Sequence, residues 1–309
     1  MIAPRILVIR HSALGDIAQS FAPFAAIRAH HQAAHIALLT TRPYAAWLAA
    51  APWFDAVETD TRPGLLNWPA LRRLRRQFAG LTRVYDLQTS ARSTRYRWLA
   101  GRAEWSGIGR LASHPHRNPD RDHIHTFARQ REQLRDAGIT HIPTLTPTDL
   151  APLTRAPNFP LPARFIVLVP GAAPHRPEKR WPAEHFAALA ATLAGRGHAI
   201  LIAGTAAEAP LATTIRAAVP HADNLIGRTT LPELAFILSC AACVIGNDTG
   251  PMHLAAAFSR PALVLFGGAS NPALTAPRYP DGTAPAILAV PHLADLPPAR
   301  VAAALPLPP

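Results

Sequence analysis

The segment around Lys179 holds the first candidate for chemistry. Lys179 is the only lysine among 309 residues, in a chain whose formal net charge is +12. It lies in the loop "RPEKRWPAEHF" (176–186), just before a predicted helix that begins at Pro182. A helix start disfavours a cation by about 0.3–1 kcal/mol, so an anion is expected beside it. A compact ammonium suits a phosphate whose charge shifts during a reaction, so Lys179 is a candidate phosphate contact. The alternative is that Lys179 is merely the last remaining lysine, on a surface loop.

The segment "GNDTGPMHLAAA" (246–257) is a second candidate. Asp248 ends a predicted strand, and Thr249 and Gly250 begin a predicted helix with a proline in its first turn. Free N–H groups at such a helix start bind anions and suit a diphosphate. His253 follows Thr249 by four residues and falls on the same helical face. The alternative is an Asp248 cap with a solvent-facing histidine.

The segment "RHSALGDIAQS" (10–20) is a third candidate. Ser12 and Gly15 shape a turn, and Asp16 stands at the start of a predicted helix. Two roles fit this carboxylate. It caps the helix, or it acts as a general base that deprotonates an acceptor hydroxyl. The dinucleotide fingerprint G-x-G-x-x-G is absent from the segment.

Two arginine-rich segments lie between residues 67 and 101. In "TSARSTRYRWLAG" (89–101), Arg92, Arg95 and Arg97 follow a strand end, where they are suited to recognise an anionic acceptor. The predicted helix 67–81 has a leucine and phenylalanine stripe surrounded by four arginines. It fits either a solvated outer helix or a contact with anionic lipid or a phosphorylated acceptor.

Other patterns exclude several classes of function. Cys240 and Cys243 have no second pair, and the histidines lack H-E-x-x-H spacing, so neither a metal site nor a redox site is predicted. No basic stripe with interleaved aromatic residues is present, which argues against nucleic acid as a partner. With neither a signal peptide nor a run of about 18 apolar residues, the protein is expected to be cytoplasmic.

The elements that must position these residues alternate along the chain. Predicted strands are 5–10, 35–41, 83–88, 165–171, 199–204, 243–248 and 262–268, and predicted helices are 16–29, 44–51, 67–81, 183–197, 231–241 and 249–258. Six prolines between 143 and 162 indicate a linker. We therefore predict an α/β protein with two Rossmann-like domains, 1–155 and 156–309, whose parallel sheets face a cleft. The basic excess lies in the first half, with a net +9 for residues 1–150 (20 Arg, 11 acids).

Taken together, these segments resemble glycosyltransferase family 9, the bacterial heptosyltransferases. The motifs are Leu14-Gly15-Asp16, Lys179 to Pro182, Asn247 to Ala257, and Pro261 to Gly267, in the family's order. The resemblance implies a GT-B architecture and an inverting, metal-independent transfer, with a nucleotide-diphosphate sugar as co-substrate and no other cofactor. ADP-heptose is the favoured donor. Lipopolysaccharide core, or another anionic surface glycan, is the expected acceptor, at the cytoplasmic face of the inner membrane.

The resemblance also implies roles for residues. Asp16 is the catalytic base, and Lys179 neutralises the leaving diphosphate. Arg92, Arg95 and Arg97 are assigned to the acceptor, and the last helix is expected to pack back on the first domain. The residues expected at the donor site are Ser12, Gly15, Gly171, Arg176, Lys179, Glu233, Asp248, Thr249, Gly250 and His253.

This chain departs from the family pattern at three places, and two other functions fit the same architecture. Gln19 replaces a frequent histidine, the loop before Lys179 lacks hydroxyl residues, and Glu233 lies one place after the position of a ribose-binding glutamate. These departures concern the donor more than the reaction. The rival functions are a nucleotide-sugar epimerase or hydrolase, which needs no acceptor, and a non-catalytic nucleotide-sugar-binding protein, which does not need Asp16.

Overall fold

The chain forms two compact units. The computed structural model describes residues 3–64, 67–173 and 175–306, and its two units are Met1–Leu145 and Thr146–Pro309. The boundary falls inside the proline-rich segment. Backbone torsions and missing N–H groups of closely spaced prolines prevent regular structure there.

The first unit is a six-stranded parallel sheet with helices. Its strands are β1 (Arg5–Ile9), β2 (His35–Thr40), β3 (Ala56–Thr59), β4 (Arg83–Asp86), β5 (Glu104–Gly107) and β6 (His114–Pro115), in the order β3-β2-β1-β4-β5-β6. Its helices are α1 (Leu14–Ala18), α2 (Phe21–His30), α3 (Arg42–Leu48), α4 (Trp68–Gln77), α5 (Ala91–Arg95) and α6 (Thr126–Asp136), and a 3-10 turn, Tyr96–Leu99, continues α5. β1 is apolar and almost fully buried after Arg5, as expected for a strand covered on both faces.

The second unit repeats this topology. Its strands are β7 (Phe165–Val169), β8 (Ala199–Ile202), β9 (Asp223–Asn224), β10 (Cys243–Asn247), β11 (Ala262–Phe266) and β12 (Ala286–Ala289), in the order β12-β11-β10-β7-β8-β9. Its helices are α7 (Ala183–Gly195), α8 (Ala209–Ala218), α9 (Leu231–Cys240), α10 (Gly250–Ala257), α11 (Pro272–Thr275) and α12 (Pro298–Ala303). Every residue of β7, β10 and β11 is buried, which explains their uninterrupted apolar sequences.

Both sheets have a topological switch point. It lies between β1 and β4 in the first unit and between β7 and β10 in the second. Loops that follow the carboxyl ends of strands diverge at such a point and leave room for a ligand. The predicted α/β class, with two Rossmann-like domains, is therefore confirmed, and each unit has its own edge where loops collect.

Several elements differ from the prediction. The helix predicted from Asp16 to Ala29 is divided into α1 and α2, because Ser20 Oγ donates to the Asp16 carbonyl at 2.7 Å and Pro23 has no N–H. The short strands β3, β5, β6, β9 and β12 and the helices α5, α6, α8 and α11 were not predicted. The last helix, α12, packs in the second unit, where Val301 belongs to the hydrophobic core.

Within residues 3–64, 67–173 and 175–306, no helix is long and apolar enough to cross a membrane.

Candidate functional site

Lys179 and Asp248 form an ion pair in the second unit. Lys179 ends a 3-10 turn, Pro177–Lys179, and its Nζ donates to Asp248 Oδ2 at 2.6 Å. Their side chains are 19% and 8% exposed, so water screens the pair only in part. The sequence predicted an anion beside Lys179, and the structure places a carboxylate there. Asp248 is thus a partner of the lysine and not the cap of α10, whose N-cap residue is Thr249.

A buried amide holds this pair in place. Asn247 is fully buried at the end of β10, and its Oδ1 accepts from the Trp181 N–H at 2.9 Å. Its Nδ2 donates to the Pro170 carbonyl, just after β7, at 2.8 Å. The indole of Trp181 in turn donates to the Leu296 carbonyl at 2.9 Å. The loop that carries Lys179 is therefore fixed against the two central strands of the sheet.

The start of α10 follows directly after Asp248. Thr249 has an extended backbone, and its side chain makes no capping hydrogen bond to the helix. Gly250 is the first residue of α10, and Pro251 is the second. His253 is 8% exposed, so the alternative of a solvent-facing histidine is wrong. The structure thus brings Lys179, Asp248, Thr249, Gly250 and the buried His253 into one region at the carboxyl end of β10.

Glu208 is a candidate residue that the sequence did not reveal. Its carboxylate packs against two glycines at the carboxyl ends of β7 and β8. A Cβ on Gly171 would lie 1.6 Å from Glu208 Oε1, and one on Gly204 would lie 2.6 Å from Oε2. The Thr205 N–H donates to Oε2 at 2.6 Å and fixes the side chain. Gly171 is thus required for close packing beside a carboxylate. The available signals were the strand-end glycines and the capping-box pattern of Thr205 and Glu208.

Two predicted donor-site residues make structural contacts. Arg176 bridges Glu178, at 2.9 Å, and the Ala269 carbonyl, at 2.8 Å, and so joins the loops after β7 and β11. Glu233 accepts from the Thr230 N–H at 2.8 Å and caps α9, and Arg155 lies 3.3 Å from its other oxygen. These hydrogen bonds, with the Arg155 charge, lower the pKa of Glu233.

An open cavity of about 610 Å³ lies next to this region. Its lining residues are Glu178, Arg180, Gly268, Ala269, Pro291, His292, Leu293 and Ala294. They come from the loops that follow β7, β11 and β12. The cavity therefore lies at the edge of the sheet where the carboxyl ends of the strands meet.

Asp16 lies in the first unit. The sequence left two roles open for it, a helix cap and a general base, and its geometry is compatible with both. Its Oδ2 accepts from the Ala13 N–H at 2.9 Å, which caps α1, and yet its side chain is 43% exposed. Arg10 is buried, and its Nη2 lies 3.1 Å from Asp16 Oδ1. Ser12 and Gly15 complete the turn, with Gly15 inside α1 and the Ser12 N–H 3.4 Å from Gln88 Oε1. A buried cation thus orients an accessible carboxylate.

Asp60 joins three segments beneath this turn. The Tyr96 hydroxyl donates to Asp60 Oδ2 at 2.8 Å, and His11 Nε2 lies 3.1 Å from the same oxygen. The Arg62 N–H donates to Oδ1 at 2.7 Å, in a backbone with a φ of 50°. Burial by itself would raise the pKa of Asp60. The hydrogen bonds from His11, Tyr96 and Arg62 outweigh it, so the pKa of Asp60 is lower than its ordinary value. Asp60 therefore remains an anion that ties the loop after β3 to β1.

Asp86, at the end of β4, behaves differently. It is completely buried and accepts from the Thr89 N–H at 3.0 Å. Burial raises its pKa to about 7, because this hydrogen bond and the nearby Arg10 charge offset the loss of hydration only in part. Arg121, which the sequence analysis missed, donates to Thr89 Oγ1 at 2.8 Å and adds a cation near this strand end.

The three predicted acceptor arginines separate into two groups. Arg92 and Arg95 line a cavity of about 260 Å³ together with Leu71, Tyr96 and other residues of α4 and α5. Arg97 is not among the lining residues, and its Nη1 donates to the Gly101 carbonyl at 2.8 Å. The structure thus brings two of the three guanidiniums together.

Within residues 3–64, 67–173 and 175–306, no group of three or more His, Cys, Asp or Glu residues is arranged to hold a metal ion.

The comparison with protein families identifies the chain. The model of glycosyltransferase family 9 (heptosyltransferase) matches residues 72–284, which is more than half of the chain. The chain belongs to glycosyltransferase family 9. The match includes Lys179, Asp248 and the three arginines that the sequence assigned to an acceptor, whereas Asp16 precedes it.

Similar proteins agree with the family 9 assignment. Lipooligosaccharide heptosyltransferase 2 of Haemophilus influenzae is 40% identical over 111 residues, which are 34% of this chain and 32% of that protein. Lipopolysaccharide heptosyltransferase 2 of Escherichia coli is 35% identical over 118 residues, which are 37% and 33% of the two chains. The chain thus spans about a third of the length of the curated relatives it matches.

Solved structures of family 9 proteins show the same fold. The structure of Escherichia coli ADP-heptose lipopolysaccharide heptosyltransferase II superposes with a TM-score of 0.76 at 23% identity, over 97% of this chain and 96% of that one. A family 9 glycosyltransferase from Veillonella parvula superposes with a TM-score of 0.77 at 19% identity, over 97% and 95%. These likenesses confirm the GT-B fold class.

The raised pKa of Asp86 leads to a prediction about stability. Between the ordinary pKa near 4 and the folded value of about 7, the folded carboxyl keeps a proton that the unfolded one has lost. The free energy of unfolding therefore falls as pH rises through this window. Asp86→Asn mimics the protonated carboxyl and removes the fall. Its stability relative to the unmodified chain should rise by up to about 4 kcal/mol across the window in urea titrations.

The control for this experiment is Asp122→Asn, at a carboxylate that is 88% exposed. Its curve should run parallel to that of the unmodified chain at every pH. If Asp86→Asn also runs parallel, Asp86 is ionised in the folded protein and the assignment fails.

Proposed function

We propose that this protein is an inverting glycosyltransferase that moves heptose from ADP-heptose to a lipopolysaccharide-core or other surface-glycan acceptor. Membership of family 9 supports the reaction class. The observation that carries the proposal is the Lys179–Asp248 pair beside the start of α10, held at 2.6 Å by a buried framework. A paired cation next to free helix N–H groups suits a diphosphate, the part that all nucleotide-sugar donors share.

In this proposal, Lys179 and the first turn of α10 bind the diphosphate of the donor. Thr249 and Gly250 offer backbone N–H groups, and Lys179 exchanges part of its contact with Asp248 for phosphate oxygens. Negative charge builds up on the diphosphate as the bond to the sugar breaks. A fixed cation and helix dipole that stabilise this charge lower the barrier without a metal ion.

Glu208 completes the proposed donor site. Its carboxylate lies at the ends of β7 and β8, two strands that neighbour each other in the second sheet. A carboxylate there accepts hydrogen bonds from hydroxyl groups such as those of a ribose. Glu233 remains a proposed donor contact, although in this structure its carboxylate caps α9.

In the first unit, Asp16 is the proposed general base. Its carboxylate takes the proton of the acceptor hydroxyl while the acceptor oxygen bonds to the anomeric carbon from the face opposite the diphosphate. The bond between that carbon and the diphosphate oxygen breaks, and the nucleoside diphosphate leaves with the electron pair. Arg10 orients the carboxylate from its buried side, at 3.1 Å.

The proposed acceptor contacts are also in the first unit. Arg92 and Arg95 share a cavity, and Arg97 lies just after them along the chain. Guanidinium groups recognise phosphate through paired hydrogen bonds, which suits a phosphorylated glycan.

A transfer assay tests the proposed function directly. The purified protein is incubated with ADP-heptose and with core glycolipid from a heptose-deficient strain, and the products are identified by mass spectrometry. We expect one heptose to be added, with inverted anomeric configuration. Release of free sugar or of an epimer at the same rate without acceptor would instead establish the rival hydrolase or epimerase.

Substitution of Asp16 separates catalysis from binding. Asp16→Asn keeps the size of the side chain but removes its basicity, so kcat should fall by about 10²–10⁴-fold. Donor affinity, measured by calorimetry, should stay within about threefold because the carboxylate does not contact the diphosphate. Asp122→Asn is the matched control and should leave both quantities unchanged. Full transfer by Asp16→Asn would disprove the role of the base.

Substitution of Lys179 tests whether the ammonium itself is needed. Lys179→Arg retains the charge, but it replaces the compact ammonium that donates to Asp248 Oδ2 with a planar fork of different hydrogen-bond geometry. We expect kcat to fall at least tenfold for arginine and about 10²–10³-fold for alanine. Arg196→Lys, an exposed exchange of the same kind after α7, is the control. Unchanged turnover of Lys179→Arg would mean that any cation at this place suffices.

A further inference from the structure

The first unit exposes its large apolar side chains in one stretch of sequence. Within the described part of the chain, the exposed large hydrophobic residues are Trp68, Trp98, Ile108 and Leu111, and the two tryptophans are 68% and 76% exposed. An indole ring that is three-quarters exposed leaves a large apolar area in water, and clustered apolar exposure is a feature of surfaces that bind a protein or a membrane.

The same stretch carries a large positive charge. Residues 61–103 contain ten arginines and one acidic residue, Asp86. Asp86 is completely buried and so does not neutralise the surface. Arg83 pairs with Glu104, just outside the stretch, and most of the other arginines face solvent. The segment that carries the two tryptophans therefore has an excess of exposed positive charge.

The two tryptophans lie on elements that line the same cavity. Trp68 begins α4 one turn before Leu71, and Trp98 directly precedes Leu99; Leu71 and Leu99 both line the cavity of about 260 Å³. The rings of Phe78 and Tyr96 pack edge to face at 5.8 Å and join α4 to the 3-10 turn. Trp68 and Trp98 are therefore exposed on two elements that pack against each other.

Helical spacing divides the arginines of α4 into two faces. Arg72 and Arg75 follow Trp68 by four and seven residues, so all three share one face. Arg73 and Arg76 lie on another face, where they line a separate cavity with Glu58. We call the first group, Trp68, Arg72 and Arg75 together with Trp98, the Trp–Arg face.

We propose that the Trp–Arg face binds the surface of a bilayer that contains anionic phospholipid. Tryptophan prefers the interface between lipid and water, where its ring is apolar and its N–H remains hydrated. Arginines beside it attract anionic headgroups, and the attraction weakens with salt. A bilayer matches both properties at once, namely a broad negative surface and an apolar layer beneath it. The proposal does not rest on the transferase function.

Co-sedimentation with vesicles tests this proposal on the chain of 309 residues. Vesicles of phosphatidylcholine alone are compared with vesicles that also contain phosphatidylglycerol, at low and high salt. We expect binding to the anionic vesicles, weaker binding at high salt, and little binding to the neutral ones. Absence of binding to anionic vesicles at low salt would overturn the proposal.

Two pairs of variants locate the surface. Arg72→Gln/Arg75→Gln should reduce partitioning onto anionic vesicles by roughly 25-fold, because each arginine contributes about fivefold. The matched control, Arg73→Gln/Arg76→Gln, changes the same charge on the same helix and should reduce it far less. Equal losses from both pairs would show that net charge acts without this face, and would overturn the assignment.

The indoles are tested separately. Trp68→Ala/Trp98→Ala should lower partitioning by about tenfold or more and leave thermal unfolding and nucleotide binding unchanged. Unchanged binding of this variant to anionic vesicles would overturn the proposal. A further set of vesicles carries the acceptor glycolipid; if the unmodified chain binds only to these, the proposal is also overturned. If the unmodified chain self-associates and this variant alone is monomeric, with equal vesicle binding, the face is instead a contact between copies.

Discussion

The buried side chain of Asn247 fixes the candidate site of the second unit. A fully buried amide needs partners for its donors and its acceptor. Asn247 Oδ1 accepts from the Trp181 N–H, and its Nδ2 donates to the carbonyls of Pro170 and Gly171. The loop between Pro170 and Trp181 carries Lys179, and the residue after Asn247 is Asp248. One amide therefore sets the position of both members of the ion pair. A shorter or apolar side chain would leave these buried backbone groups without partners, at a cost of about 1–3 kcal/mol each.

In the first unit, charged groups hold the functional side chains in position. Arg10 and Asp60 directly follow β1 and β3, Asp86 ends β4, and Asp16 lies in α1. Each of the three carboxyl groups has a different environment. Asp16 is accessible, Asp60 is an anion with several donors, and Asp86 has a raised pKa. One buried guanidinium acts on both Asp16 and Asp86. The two units thus share a topology but fix their functional groups by different physical means.

The sequence predicted the central parts of both sheets and much of the candidate site. Strands such as β7 and β11 are short, apolar and fully buried, so their patterns were clear. The helix α6 was missed because two of its three buried residues are glutamines, Gln130 and Gln133, and only Leu134 is apolar. The pairing of Lys179 with Asp248 joins residues 69 positions apart, and only the parallel pairing of β7 with β10 brings them together. No local pattern encodes such a contact.

The packing of Glu208 against Gly171 and Gly204 links three positions on different elements of the second unit. The carboxylate occupies the volume that side chains on either glycine would need. We therefore expect substitutions at these three positions to depend on one another during evolution. A lineage that acquires a side chain at either glycine must lose or relocate the carboxylate as well, and a lineage that shortens the glutamate releases both glycines from their restriction. Covariation among these three positions would therefore record the history of this strand edge more faithfully than conservation at any one of them.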